Sequence, residues 1–249
     1  MVGFRPKNGA RETMDPKPQP RSLRQNLSRL AGVLVVVVLI VLLLPYLLVP
    51  VYRFIDPVSV PMLWRWMTGA RLARTVLPIA RMAPILPATV IAAEDARFCD
   101  HHGVDLGEIR EALRGGDDLR EVRGASTVSQ QVAKNLFLWN GRSFVRKALE
   151  LPLALWIDLL LGKRREMEIY LNLAEWGPNG EFGAEAGARF AFGKSASDVT
   201  RHEAALLAAV LPNPHRRSAR VPSPQVRRLA GIFEARARKA AAGCVAARP

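Results

Sequence analysis

The chain has 249 residues, room for one medium domain with appendages rather than for several domains. Its hydrophobic fraction of 49% is ordinary, but the apolar residues are unevenly spread and the formal net charge is +14. A basic excess of this size suits nucleic acid or an anionic membrane surface, and the order of segments along the chain decides between them.

Residues 1–29 are rich in Pro, Arg and Asn, carry seven Lys/Arg against two acids, and read as a disordered basic tail. From Leu30 to Tyr52 come 23 residues without a charge. As a helix they span roughly 34 Å, enough to cross a hydrocarbon core of about 30 Å. No small-residue cleavage site follows, so the segment reads as an uncleaved anchor rather than a signal peptide. The positive flank puts the tail in the cytoplasm and the bulk of the chain outside the inner membrane, in the periplasm. That topology argues against nucleic acid as a partner. Residues 53–83 read as a linker and membrane-proximal helix, with Trp64 and Trp66 at the interface. Residues 84–249 form the remaining domain.

Within that domain Pro84 and Pro87 punctuate a helix expected from about Ala88 to Phe98. Asp105 and Glu108 resemble a capping box opening a short helix with Leu106, Ile109 and Leu113 on one face. Gly115 to Asp118 is a loop. Ser126 or Thr127 caps a helix running to about Trp139, with Val128 and Val132 as its apolar stripe and Gln130 and Lys134 sharing a polar face. Asn140-Gly141 is a turn. A helix over Ser143 to Leu161 should kink at Pro152, just past Glu150. Helices over Lys163–Ala174, Arg201–Leu211 and Gln225–Ala242 complete an all-α pattern. Cys99 and Cys244 could pair in an oxidising compartment, but one lies in a polar cluster and the other in a terminal tail, so unpaired thiols are the favoured reading and a disulfide the lesser one.

Chemistry concentrates in three clusters. The first is Glu94-Asp95-x-x-Phe98-x-x-His101-x-Gly103, where Glu94 closes an apolar helical run. Apolar surroundings disfavour a carboxylate and move its pKa toward the range useful for proton transfer. His101 is more readily a structural hydrogen-bonding residue than a base. The second cluster is Gly124-x-Ser126-Thr127-x-x-Gln130-Gln131-x-x-Lys134-Asn135. Its amides and cation suit sugar hydroxyls and phosphate oxygens at a helix N-terminus. As a bland alternative it is a capped helix with a solvated face. The third cluster, Arg146-Lys147-x-x-Glu150, adds cations beside Arg142. As surface charge, Arg146 and Glu150 contribute a few tenths of a kcal/mol; aimed at a diphosphate in a dry site, such cations contribute far more.

Together these clusters resemble the signature motifs of the peptidoglycan glycosyltransferases, the lysozyme-like enzymes that polymerise lipid II. Two further motifs agree: Lys163-x-x-x-x-Glu168-x-Tyr170-Leu171-Asn172, and the run from Glu203 to Pro214. The likeness spans roughly residues 84–217. The chain has no Ser-x-x-Lys of a transpeptidase and ends at Pro249, so it most resembles the monofunctional members. Departures are Glu166, where an apolar residue is usual, Pro152 behind Glu150, and Ala191 in place of a larger ring.

The resemblance implies a lysozyme-like, two-lobed, all-α glycosyltransferase domain behind a single transmembrane helix. It implies Glu94 as general base toward the acceptor 4-hydroxyl. Glu150 is the second catalytic carboxylate. Ser126, Gln130, Gln131, Lys134, Asn135, Arg142, Arg146 and Lys147 hold sugar and diphosphate. Asp95, Phe98, His101, Gly103, Gly124, Thr127, Tyr170 and Asn172 are motif or structural positions. No cofactor is required, with a divalent cation, Mg or Mn, left open at the diphosphate. The implied partners are lipid II, the lipid-linked glycan and the bilayer, with cell-wall synthesis or division proteins as further candidates. A lytic transglycosylase or muramidase, and a membrane-anchored scaffold with a dead site, are the competing readings.

Overall fold

A computed structural model of the chain describes residues 23–108, 110, 126–139, 141 and 143–246. The tail over 1–22, the loop from Gly115 to Asp118, most of the short helix after Asp105, and Gly124, Asn140 and Arg142 lie outside the described residues. The chain divides into two units, residues 1–43 and 44–249.

The described part of the first unit is helical and belongs to α1 (Leu23–Val51), which starts seven residues earlier than the composition of the tail suggests. From Val33 to Leu44 its Leu, Val and Ile side chains are exposed on every face, while Val49 near its end joins the core. A helix apolar all round is stable only in a protein core or in lipid, and no core covers the stretch from Val33 to Leu44. Leu27–Val51 is long and apolar enough to cross a membrane.

In the second unit, α2 (Val60–Met67) is capped by Ser59 and carries Trp64 and Trp66, both well exposed. Then follow β1 (Ala73–Arg74), α3 (Ile85–Glu94), α4 (Val128–Phe137), α5 (Phe144–Leu173), β2 (Glu181–Phe182), α6 (Ala184–Phe192), α7 (Arg201–Val210) and α8 (Pro224–Ala237). The unit is overwhelmingly helical. β1 and β2 pair in parallel, Ala73 opposite Glu181 and Arg74 opposite Phe182; two residues per strand leave no alternation for a sequence to display.

Three helix boundaries position the site. α3 ends at Glu94 rather than running to Phe98, because Asp95 turns extended (φ −160°, ψ 76°) and uses its side chain elsewhere. α4 begins after Thr127, whose hydroxyl accepts from Gln130 N while the Gln130 side chain caps Thr127 N in return. Its buried face is Val128, Val132, Ala133 and Leu136, each large aliphatic contributing about 1.5–3 kcal/mol. α5 keeps helical dihedrals through Pro152 and breaks at Gly162 (φ 72°, ψ 156°), so the interruption comes ten residues later than the proline suggests. α4 packs on α5, and α3 packs on α7 and α8. The alanine-rich α7 lets these helices approach closely, bringing the turn after α7 to the end of α3.

The last turns of α1 are fastened to α5. Trp156 Nε1 donates to Tyr46 O at 3.0 Å. Arg165 donates to Tyr52 O at 2.9 Å and Ile55 O at 2.7 Å, and pairs with Asp56 and Glu168. The apolar run Leu136 to Trp139 belongs mostly to the core: Leu136 and Leu138 are buried, Phe137 stacks on Tyr52, and Trp139 alone is exposed.

The expectation of unpaired cysteines is overturned. Cys99 and Cys244 form a disulfide across a sequence separation of 145. The closing 3₁₀ turn Gly243–Val245 packs on α5 instead of trailing as a tail, which brings the two thiols together. Such a cross-link stabilises by about 2–4 kcal/mol. Cys99→Ala/Cys244→Ala is therefore expected to lower Tm by several degrees, read by thermal unfolding in detergent. An unchanged Tm would mean that the link constrains nothing.

Candidate active site

Glu94 is half-buried at the C-terminus of α3 and lines a cleft of about 250 Å³ together with Ala93, Ser126, Gln131 and Pro212. Burial raises the Glu94 pKa above the usual carboxylate range; hydrogen bonding from Gln131 and the charges of Lys134 and Arg217 oppose that rise. The carboxyl is held in one orientation. Gln131 Nε2 donates to Glu94 Oε2 at 3.0 Å, and Tyr170 OH donates to Gln131 Oε1 at 3.1 Å. Burial keeps the phenol well above its ordinary pKa, so Tyr170 remains a donor.

Asp95 explains why an acid follows Glu94. Both its oxygens lie 3.0 Å from His101 Nε2, and Oδ2 accepts from Val128 N at 2.8 Å. A carboxylate at a helix N-terminus is favourable. Here it welds the end of α3 to the start of α4, fixing Glu94 relative to Ser126 and Gln131. Phe98 is buried, edge-on to His101, with Lys163 Nζ 4.5 Å from its ring centroid. Gly103 must be glycine: φ is +77°, and a Cβ would lie 2.6 Å from Ala154 O. Its own carbonyl accepts from Thr127 Oγ1 at 2.6 Å. Asn172 clasps the backbone of Leu77 through both amide groups, at 2.9 and 3.0 Å. These motif positions build the frame rather than touch the cleft.

The cations gather behind Ser126 rather than lining the cleft themselves. Lys147 Nζ donates to Ser126 Oγ at 2.9 Å and lies 3.2 Å from Glu150 Oε2. Burial first, then the charges of Arg146 and Lys134, lower its pKa to about 8. Burial and Arg146 also lower Lys134, against an opposing pull from Glu94. Arg146 pairs with Glu150 and donates from Nε to Gly141 O at 2.8 Å. Glu150 is buried and does not line the cleft; it reaches it through Lys147. Its carboxylate is held by two cations, Arg146 and Lys147. Asn135 is half-buried beside Lys134.

Gln130 is placed differently from the expectation that it meets sugar or phosphate. It is buried, and its Oε1 accepts from Thr127 N at 3.1 Å as half of the capping box. Gln131 takes the cleft-facing place, and Lys134, three residues on along α4, acts on Glu94 through its charge. Arg217 was not singled out by sequence. It influences Glu94 electrostatically while donating to Ala209 O at 2.9 Å, and the turn after α7 brings it there. Its one signal in sequence is its place three residues past Pro214, at the close of the fifth motif. Glu166 is wholly buried near Lys163 and Ser129, and burial pushes its pKa to about 8. A carboxyl whose neutral form is favoured is one that a wholly buried position can hold.

Among the described residues, no group of three or more His, Cys, Asp or Glu is placed to hold a metal ion. The acids nearest the cleft are already engaged, Glu94 by Gln131 and Glu150 by two cations. They do not fit a protein-held ion.

A family model described as Transglycosylase matches residues 63–236. The chain is 58% identical over 212 residues to the biosynthetic peptidoglycan transglycosylase of Nitrobacter hamburgensis, covering 85% of this chain and 94% of that protein. Its identity to the protein of that name from Rhodopseudomonas palustris is 57% over 212 residues, covering 85% and 90%. To that from Rhizobium meliloti it is 50% over 206 residues, covering 82% and 87%.

Proposed function

The chain belongs to the transglycosylase family, and from that premise we propose that it polymerises peptidoglycan glycan strands from lipid II without transpeptidase activity. The observation that carries the reading is a half-buried carboxyl sharing one cleft with Ser126, whose hydroxyl accepts from Lys147 at the edge of a half-buried cluster of cations.

In the proposed reaction the acceptor N-acetylglucosamine of lipid II lies against Glu94. Glu94 removes the proton of its 4-hydroxyl as that oxygen attacks the anomeric carbon of the donor N-acetylmuramic acid. The new C–O bond is β-1,4. The α-linked bond to the diphosphate breaks on the opposite face, so the configuration inverts. Undecaprenyl diphosphate leaves with the electron pair, and Lys134 and Lys147 stabilise the charge, with Ser126 fixed by Lys147. Arg142, outside the described residues, joins them on this reading. Glu150 positions Lys147 and Arg146. The two roles need separate environments, one acid with its pKa raised by burial and one held between cations.

On the same reading, residues 30–52 anchor the chain in the inner membrane, residues 1–29 face the cytoplasm, and residues 84–249 catalyse in the periplasm. Tethering enzyme and lipid-linked substrates in one bilayer raises their effective concentration. Exposed Phe144, Val145, Leu155 and Leu159 on α5 suit contact with lipid.

The test is incubation of the full chain in detergent with radiolabelled lipid II. Polymer with release of undecaprenyl diphosphate supports the proposal. No polymer from lipid II, together with shortening of purified sacculus chains, would establish the lytic reading instead.

A further inference from the structure

A second cavity opens where the chain leaves α1. It encloses about 880 Å³, and Arg53, Gly162, Lys163, Arg164 and Cys244 are among the residues that line it. None of these lines the cleft around Glu94. Three features make it a constructed space. The left-handed backbone of Gly162 (φ 72°) interrupts α5 at its edge. The Cys99–Cys244 disulfide fixes the C-terminal turn that forms the facing wall. Arg164 Nη1 ties that turn to α5 by donating to Val245 O at 2.6 Å.

The charge on its walls is not balanced. Lys163 is neutralised by Asp158 at 2.6 Å, whose other oxygen faces His102 Nδ1 at 3.3 Å. Arg53 and Arg164 are held by backbone carbonyls only, Arg53 Nη1 donating to Leu160 O at 3.2 Å. Neither makes an ion pair with a carboxylate among the described residues. A guanidinium has five N–H donors and cannot shed its charge at physiological pH. Two such groups lining one cavity select an anion.

Placement selects which anion. Arg53 is the second residue after the last of α1, so a bilayer crossed by that helix puts the cavity at the level of lipid headgroups. The volume falls in the range of small-molecule sites and exceeds what a bare phosphate fills. A zwitterionic headgroup brings a cation that the two arginines repel; an anionic headgroup does not. We propose that this cavity binds the phosphodiester headgroup of an anionic phospholipid, with Arg53 and Arg164 as its charged contacts. The inference rests on the membrane-anchor reading of α1 and is independent of the transfer chemistry.

Native mass spectrometry of the full chain in detergent tests it, with parallel titrations of dioleoyl phosphatidylglycerol, dioleoyl phosphatidylcholine and inorganic phosphate. Phosphatidylglycerol is expected to be retained in preference to phosphatidylcholine. Arg53→Gln should weaken that retention by roughly fivefold, the effect of one arginine at an anionic lipid surface. Arg53→Gln/Arg164→Gln should reduce it to the phosphatidylcholine level. Arg53 is exposed and bonded to one carbonyl, so its single variant folds even if the double variant does not. Lys134→Ala, a cation lost outside this cavity, should retain phosphatidylglycerol like the parent. The proposal is overturned if Arg53→Gln retains phosphatidylglycerol unchanged or if Lys134→Ala loses it. It is likewise overturned if phosphate is held as well as the lipid with the same dependence on arginine. None of these readouts depends on polymerisation, so failure here is distinguishable from failure of the transferase reading.

Discussion

Glu94→Gln is expected to lower glycan polymerisation by about 10²–10⁴-fold, the usual contribution of a positioned general base. The amide keeps the shape of the carboxyl and its contact with Gln131 after an amide flip, but it cannot accept the hydroxyl proton. Stability should move in the opposite direction to activity. Burial raises the Glu94 pKa above its unfolded value, so the folded state favours the protonated form. That preference stabilises fully at pH below the unfolded pKa and is lost as pH rises through the folded one. Above the unfolded pKa that preference is a cost to the folded state, which glutamine removes. A Tm equal to or above that of the parent, with lipid II still bound, separates loss of the base from loss of the fold. A variant that unfolds early, or polymerises at the parental rate, contradicts the assignment.

Lys147→Ala is the second large effect. Removing one preorganised donor from developing anionic charge typically costs about 10²–10³ in kcat. Lys147 also orders its neighbours, because its ammonium reaches both Ser126 on the cleft wall and Glu150 behind it. Its pKa of about 8 makes the charge sensitive to pH, mostly present at pH 7 and mostly lost at pH 9 in the free enzyme. A bound diphosphate favours the ammonium, so the alkaline limb of kcat should lie at higher pH than that of kcat/KM. Lys147→Arg should restore part of the activity and push the alkaline limb upward, since a guanidinium does not titrate there. Full activity in Lys147→Ala would mean that the diphosphate is met elsewhere.

The parts of this site that sequence discloses are those whose chemistry is local. Glu94 is legible because it ends an apolar helical run, and Thr127 because a cap and its partner lie three residues apart. The same capping box misleads about Gln130. Helical spacing pairs Gln130 with Lys134, but the box turns Gln130 inward, and Gln131 inherits the cleft. Asp95 reads as part of α3 until its side chain is seen accepting from the next helix. Arg217 and the disulfide are invisible for a shared reason. Each depends on segments far apart in sequence, Arg217 on the packing of α3 against α7 and α8, Cys244 on the docking of the last turn onto α5. Helical periodicity describes one segment at a time and carries no information about such meetings. The long apolar helix needs no meeting, so its composition suffices.

The most direct measurement is the pH dependence of kcat/KM for lipid II polymerisation by the parent and by the two variants. A bell is expected, its acid limb above the ordinary range of a glutamate and its alkaline limb near 8. The residual activity of Glu94→Gln should lack the acid limb, and that of Lys147→Ala the alkaline one. An acid limb that persists unshifted in Glu94→Gln would show that the proton leaves to some other group, and the proton acceptor facing the cations would have to be sought elsewhere in the molecule.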